Sequence, residues 1–302
     1  MTGRMTERIV CLGECMVEFA PVGEGVYRRG FAGDTFNTAW YLRRLLPAER
    51  PVDYVTCVGV DAVSDAMLAF MAAAGVGTAG VARLPDHTVG LYMIDLKDGE
   101  RSFSYWRSAA AARRLAADPA RLAAALDGAA LVLLSGITVA IVPEADRPAL
   151  FAALDAVRKA GGRIAFDPNI RPRLWPDPAA MRAALDRAAA GADILLPSFE
   201  DEATHFGDAD PDATLARFRA AGATTVVVKN GPGEVVAWDA AEGRITFRPA
   251  PVEARDTTAA GDSFNAGLLA ARLGGSPLAA AVEAGARLAG HVCRHPGALV
   301  AV

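Results

Sequence analysis

Cysteine is scarce in this sequence, and none of it is arranged for metal or disulfide chemistry. The four cysteines stand at positions 11, 15, 57 and 293 of 302, without a CxxC pair or Cys/His metal spacing. They read as reduced core thiols of a cytoplasmic protein. A basic excess is also missing, since the formal net charge is −4 and the pI is near 5.6. Nucleic-acid binding needs a concentrated basic face to displace counterions, so no such partner is expected, whereas a small anion needs only a few placed arginines. No uncharged run is long enough to span a bilayer. The longest, 128–143, is interrupted by Ser135, Gly136 and Thr138. The first eight residues lack the basic, apolar and small-residue order of a signal peptide, so no membrane role is expected. A GxxxxGK[ST] phosphate loop is absent as well.

What remains is an ordinary globular balance, with 52% apolar and 22% charged residues, enough to bury a sizeable core. From about residue 115 onward, apolar runs alternate with helical patterns. The runs Leu131–Ser135, Arg163–Asp167, Asp193–Pro197 and Thr225–Lys229 start about 30 residues apart, the length of a strand, crossover helix and return. Continuous rather than alternating apolar character marks strands buried on both faces. Asp118-Pro119 and Asp177-Pro178 place a cap before a first-turn proline, and Gly161-Gly162 closes the helix that begins near Glu144. The expectation is one α/β domain over 1–302, with a mostly parallel central sheet flanked by helices.

The first third has a different texture. The run "IVCLGECMVEF" (9–19) starts as a buried strand and then alternates. Residues 23–31 and "HTVGLYMIDLKDGERSFSYWR" (87–107) read as antiparallel hairpin material, with Lys97-Asp98-Gly99-Glu100 as a turn. Segments 14–33 and 87–107 are therefore expected to form a small sheet acting as a lid, which would exclude water from a phosphate-transfer site. Its exposed sheet could also pair with that of a second subunit.

"GVGTAG" (75–80) matches GxGxxG, but it follows a helix expected over 64–74. The dinucleotide fingerprint must leave a strand and open a helix, so Gly75 reads as the residue after a helix end. "GFAGDTFNTAWYLRRL" (30–45) starts a helix at Asp34 or Thr35. There Gly33, Asp34 and Asn37 serve either as a cap or as a grip on a polyhydroxylated ligand. "DTTAAGDSF" (256–264) bridges a strand expected over 244–249 and an apolar helix over 259–273. Small residues there let backbone N–H groups approach an anion, which the helix dipole favours. Asp262 in that first turn is either a dipole partner or a base placed beside an anion site to take a hydroxyl proton. Asp256, Thr257 and Thr258 could support a metal ion or the loop.

"DTTAAGDSFNAG" resembles the C-terminal signature of the ribokinase-like (PfkB) carbohydrate kinases, and Ala32-Gly33-Asp34-Thr35-Phe36-Asn37 is similar to their N-terminal substrate motif. "GECMVEF", "GLYMI", "SYWR", "DPNIRPRLW" and "LLPSFEDE" resemble the 2-keto-3-deoxygluconate kinase branch of that family. The resemblance implies phosphorylation of that sugar acid at its C6 hydroxyl, with ATP and Mg²⁺ as cofactors and a monovalent cation as a further candidate. It implies Asp262 as general base, and the backbone of Ala259, Ala260 and Gly261 as anion hole. Gly33, Asp34 and Asn37 would hold sugar hydroxyls, and Tyr92, Tyr105, Arg107 and Arg171 would contact the keto-acid, with both arginines near its carboxylate. Ser198, Lys229, Asn230, Gly231 and Gly233 would lie along the ATP site. Glu200, Asp201 and Glu202 share the place of the family's magnesium-linked acid, and which of them serves is open. Ala259 replaces a glycine, which a positive φ would make costly. Arg171 could instead form a surface ion pair, and Trp175 is expected in the core or an interface. The alternatives are a fructokinase or other neutral-sugar kinase, an idle binding regulator, and, resting on GVGTAG alone, a nicotinamide dehydrogenase.

Overall fold

The computed structural model describes residues 7–97 and 100–302. The Asp98-Gly99 centre of the expected turn lies outside the described residues. In chain order the strands are β1 (Ile9–Leu12), β2 (Met16–Gly23), β3 (Val26–Ala32), β4 (Val52–Val55), β5 (Cys57–Val58), β6 (Ala82–Arg83) and β7 (Leu91–Lys97). They continue as β8 (Glu100–Trp106), β9 (Leu131–Ser135), β10 (Arg163–Asp167), β11 (Ile194–Leu195), β12 (Thr225–Val228), β13 (Val235–Asp239) and β14 (Gly243–Phe247). The α-helices are α1 (Asp34–Leu45), α2 (Ala62–Ala73), α3 (Pro119–Leu126), α4 (Gly136–Ile141) and α5 (Arg147–Lys159). After them come α6 (Pro178–Ala190), α7 (Phe199–Phe206), α8 (Pro211–Ala220), α9 (Ala260–Leu273) and α10 (Leu278–Cys293).

Eight strands form the main sheet in the order β14-β13-β12-β11-β10-β9-β1-β4. Its neighbours are parallel except at β12–β13 and β13–β14. The continuous apolar runs are divided by the two-residue pleat between two cores. Ile9, Cys11, Leu131, Leu133 and Val227 pack with α1, α2, α9 and α10. Val10, Leu12, Val132, Leu134, Phe166 and Val228 pack with α3, α5, α6 and α8. Trp175 belongs to the second core and is 8% exposed, with the Arg147 guanidinium 4.8 Å from its ring centre.

Local signals end the helices where chemistry requires. Asp118 and Asp177 accept first-turn N–H groups ahead of Pro119 and Pro178. Gly75, after α2, has φ +76°, so GVGTAG is a helix exit. A separate sheet runs β3-β2-β7-β8. One of its faces carries Met16, Ala32, Tyr92 and Ile94 against Ala298, with Ala259 packed beside them. No helix among the described residues is long and apolar enough to cross a membrane.

Candidate active site

The polar residues singled out above gather beyond the carboxyl ends of β1, β9, β10 and β12, where open α/β sheets bind ligands. Two helix N-termini meet there. Asn37, in the first turn of α1, donates from Nδ2 to Asp262 Oδ2 at 2.8 Å, and its Oδ1 accepts the Gly33 N–H at 3.3 Å. Thr38 Oγ1 lies 3.1 Å from the Asp34 carbonyl and 3.2 Å from that of Asp262. Gly33 is required by close approach, because a Cβ there would lie 2.2 Å from the Glu14 carbonyl oxygen. Asn37 therefore orients the candidate base directly, a contact with no trace in local sequence.

Asp262 is half-buried in the first turn of α9. Its pKa is pushed up to about 7, first by burial and then by the charge of Asp34, with Asp167 adding to the rise; the Asn37 hydrogen bond and the Lys229 charge oppose it. A carboxyl poised near neutrality matches what a general base needs.

Lys229 follows β12 and is 7% exposed. Its Nζ donates to Asp167 Oδ2 at 2.6 Å and to Asn265 Oδ1 at 3.1 Å, and Asn265 Nδ2 donates to the same Asp167 oxygen at 2.6 Å. The ammonium also lies 3.6 Å from where a Cβ on Gly261 would stand. A strand-end lysine thus stands beside the helix N-terminus in a protein without a Walker lysine.

The loop before α9 is tied down at Asp256, whose two oxygens accept Thr258 N at 2.9 Å and Gly297 N at 2.6 Å. Asp256 thus braces the loop. Ala260 N–H donates to the Thr257 carbonyl at 3.1 Å, whereas Gly261 N–H has no backbone partner among the described residues. Of the expected anion-hole amides, Gly261 is open and Ala260 is engaged. Ala259 has φ 59° and ψ 17°, the left-handed region that costs an L-residue about 1–2 kcal/mol. Glycine there frees the unfolded chain at a cost of about 0.5–1 kcal/mol. Ala259→Gly is therefore expected to be more stable by up to about 1 kcal/mol, seen as a higher denaturant midpoint with unchanged slope.

The remaining expected residues form two further groups. On the four-stranded sheet Tyr92 and Tyr105 lie with ring centres 5.9 Å apart. Tyr92 is buried, its hydroxyl donating to Glu18, while Tyr105 is 50% exposed. Arg107 is paired with buried Glu14. On the other side, Arg171 is half-exposed, 3.8 Å from Asp201 and bonded to the Ile170 carbonyl, so the surface pairing considered for it is present. Ser198 begins α7 and bridges Lys229, and Asn230, Gly231 and Gly233 make the turn after β12, with Gly233 N–H donating to Asn230 O at 2.7 Å.

Among the three acids of α7, Glu202 is fully buried on Arg217 and Glu200 is exposed. Asp201 faces the site, accepting Ile170 N–H at 3.2 Å, and burial together with Asp167's charge raises its pKa.

Four functional candidates were passed over in the sequence: Glu14, Asp167, Asn169 and Asn265. Asn265 stands three residues after Asp262, so helical spacing could have flagged it. Asn169 has φ 35° and donates from Nδ2 to Asp34 Oδ2 at 2.7 Å. Its position after proline in a strand-end loop was the available signal.

Comparison with known proteins gives the family. The chain is 37% identical over 302 residues to a 2-dehydro-3-deoxygluconokinase of Dickeya dadantii, covering 98% of this chain and 97% of that one. A fructokinase of Klebsiella pneumoniae is 35% identical over 269 residues, 88% of this chain and 84% of its own. Among solved structures, a putative ribokinase II from E. coli in complex with ATP and Mg²⁺ superposes with a TM-score of 0.84 at 25% identity, covering 97% and 94% of the two chains. The model of the pfkB family of carbohydrate kinases matches residues 6–301, and with that match and a relative 37% identical across 98% of this chain, the chain belongs to that family.

Proposed function

We propose that this protein transfers the γ-phosphoryl of ATP to the C6 hydroxyl of 2-keto-3-deoxygluconate. The observation that carries the reading is Asp262 in the first turn of α9, next to the open Gly261 amide, with the Lys229 ammonium 3.6 Å from where a Gly261 Cβ would stand. Ionised Asp262 takes the proton of the acceptor hydroxyl, with Asn37 fixing the carboxylate's direction. Gly261 N–H, the α9 dipole and Lys229 meet the charge on the migrating phosphoryl, since this transfer depends chiefly on positioning and electrostatics.

ATP lies along Ser198, Lys229, Asn230, Gly231 and Gly233 in this reading. Of the three acids, Asp201 fits the metal-organising role best, because Glu202 is buried on Arg217 and Glu200 points to solvent, whereas Asp201 feels the Asp167 charge from across the site. Mg²⁺ bound there would neutralise phosphate charge. The four-stranded sheet acts as the lid, and its exposed Val22, Val26, Tyr105 and Trp106 support pairing with a second copy.

Fructokinase is the second reading, favoured by the Klebsiella relative. Arg107 and Arg171 around the site favour the acid, because a neutral ketose needs no cation. ADP release measured with 2-keto-3-deoxygluconate, fructose and ribose decides it. The acid is expected to give a kcat/KM at least about 100-fold above either sugar, the scale of one unmatched buried polar group and more. Faster turnover of fructose would overturn the sugar-acid assignment.

A further inference from the structure

The sequence holds four asparagines, and three of them are tied down inside the candidate site. Asn37 Nδ2 donates to Asp262, Asn169 Nδ2 to Asp34 and Asn265 Nδ2 to Asp167. The side-chain amide of the fourth, Asn230, makes no hydrogen bond among the described residues. Asn230 is also the one followed by glycine; the others precede Thr38, Ile170 and Ala266.

Residues 230–233 form a tight turn, closed by the Gly233 N–H on the Asn230 carbonyl at 2.7 Å. Gly231 is exposed with φ +52°, and a Cβ there would meet nothing within 4 Å. Its N–H has no backbone partner among the described residues. The Asn230 amide folds forward over this same turn, since a Cβ on Gly233 would lie 2.7 Å from Nδ2 and 3.0 Å from Cγ. An unheld amide carbon therefore leans over a turn whose first nitrogen no side chain shields. Asparagine is among the thermolabile residues, and a following glycine removes the bulk that would protect it.

We propose that Asn230-Gly231 is a self-modification site, which water converts to aspartate and isoaspartate. The Gly231 nitrogen, having given its proton to hydroxide, attacks Asn230 Cγ. An N–Cγ bond forms and closes a succinimide, the Cγ–Nδ2 bond breaks, and Nδ2 leaves as ammonia after taking a proton back from water. A second water then opens the imide. Breaking the bond at Cγ leaves aspartate; breaking it at the main-chain carbonyl leaves isoaspartate, with the chain now running through Cβ. Overall one water replaces one ammonia, and nothing is oxidised or reduced. Either product sets a carboxylate between Lys229 and Gly231, and the aged protein then repels the phosphates of ATP. That consequence rests on the ATP placement above.

The test is warm incubation of the full chain in mildly alkaline buffer, sampled for peptide mass and for ADP release. Arginine-specific cleavage delivers residues 220–244 as one peptide with Asn230 inside. The amide-to-acid mass gain and labelling by an isoaspartyl methyltransferase are expected in that peptide first, while Asn37, Asn169 and Asn265 stay intact. Asn230→Gln, whose extra methylene disfavours the ring, should show neither, and its KM for ATP should hold constant through the incubation. In Asn230→Asp and in the converted wild type, KM for ATP is expected to rise roughly fivefold, the factor set by one repulsive unit charge about 4 Å away in water. KM for the sugar acid should not move. Conversion of another asparagine first, or an intact Asn230 once the others convert, would overturn the site. An Asn230→Asp protein with unchanged KM for ATP would overturn the consequence. No ADP release from fresh protein would overturn the kinase reading instead, with the conversion still decided by mass.

Discussion

Asp262→Asn is expected to lower kcat by about 100-fold or more, the scale of general-base removal, with secondary structure and nucleotide binding unchanged. The asparagine fits, because its oxygen can still accept from Asn37 Nδ2, which now reaches Asp262 at 2.8 Å. Wild-type activity should follow the same group. With its pKa raised to about 7 by burial and by the Asp34 and Asp167 charges, the base is protonated in acid. The pH profile of kcat/KM is therefore expected to climb about tenfold per unit below pH 7 and level off above it. Stability should run the other way. A carboxyl raised in the folded state stabilises it fully below the unfolded pKa, and that contribution is lost as pH rises through about 7. Asp262→Asn should thus melt above the wild type at pH 8 and match it near pH 4. A variant that turns over normally, or a flat rate profile between pH 5 and 8, would remove Asp262 from the mechanism.

The second large effect is at Lys229. Lys229→Met leaves Asp167, 7% exposed, with its charge buried and its 2.6 Å ammonium partner gone. Breaking one side of a buried pair costs about 3–5 kcal/mol, a large share of the roughly 5–15 kcal/mol that holds a protein folded. Under the proposed mechanism the same change also removes the ammonium that meets the migrating phosphoryl, with an expected loss of about 100-fold or more in kcat, the scale of one preorganised electrostatic contact. Combining it with Asp167→Asn separates the effects. The neutral pair should recover most of the stability and little of the turnover. Recovery of both would mean that Lys229 serves the fold alone.

Much of the scaffold was legible because its signals are local. The runs 131–135 and 163–167 are β9 and β10 to the residue, since strands covered on both faces are apolar through their middle, with Arg163 and Asp167 only at the ends of β10. The run expected over 193–197 shrinks to Ile194–Leu195, as the chain turns into the site at Pro197 and Ser198. The strand expected over 244–249 spans 243–247 instead; Pro249 and Pro251 lack the N–H to continue a ladder, and a loop separates it from α9. The motif residues of the candidate site could be placed from sequence, since Gly33, Asp34, Asn37, Gly261 and Asp262 are near in sequence to the starts of α1 and α9. Their partners could not. Asn37 meets Asp262 across 225 positions, Lys229 meets Asp167 across 62, and Glu14 meets Arg107 across 93. Such pairs exist only once the sheet order has placed two strand ends side by side. Ala259 was flagged only through the glycine that the resemblance places there, with a cost if φ were positive; the left-handed geometry itself is a structural finding, for alanine carries no preference for it.

Asp34, Asp167 and Asp262 crowd one corner of the molecule, and this has a practical consequence for anyone engineering it. A library sorted for heat resistance at neutral pH would enrich sequences that neutralise Asp262 or Asp34, since Asp167 is held by Lys229, and the winners would be robust but inert. Selection for durability should therefore be coupled to phosphate transfer in every round, or those three positions held constant.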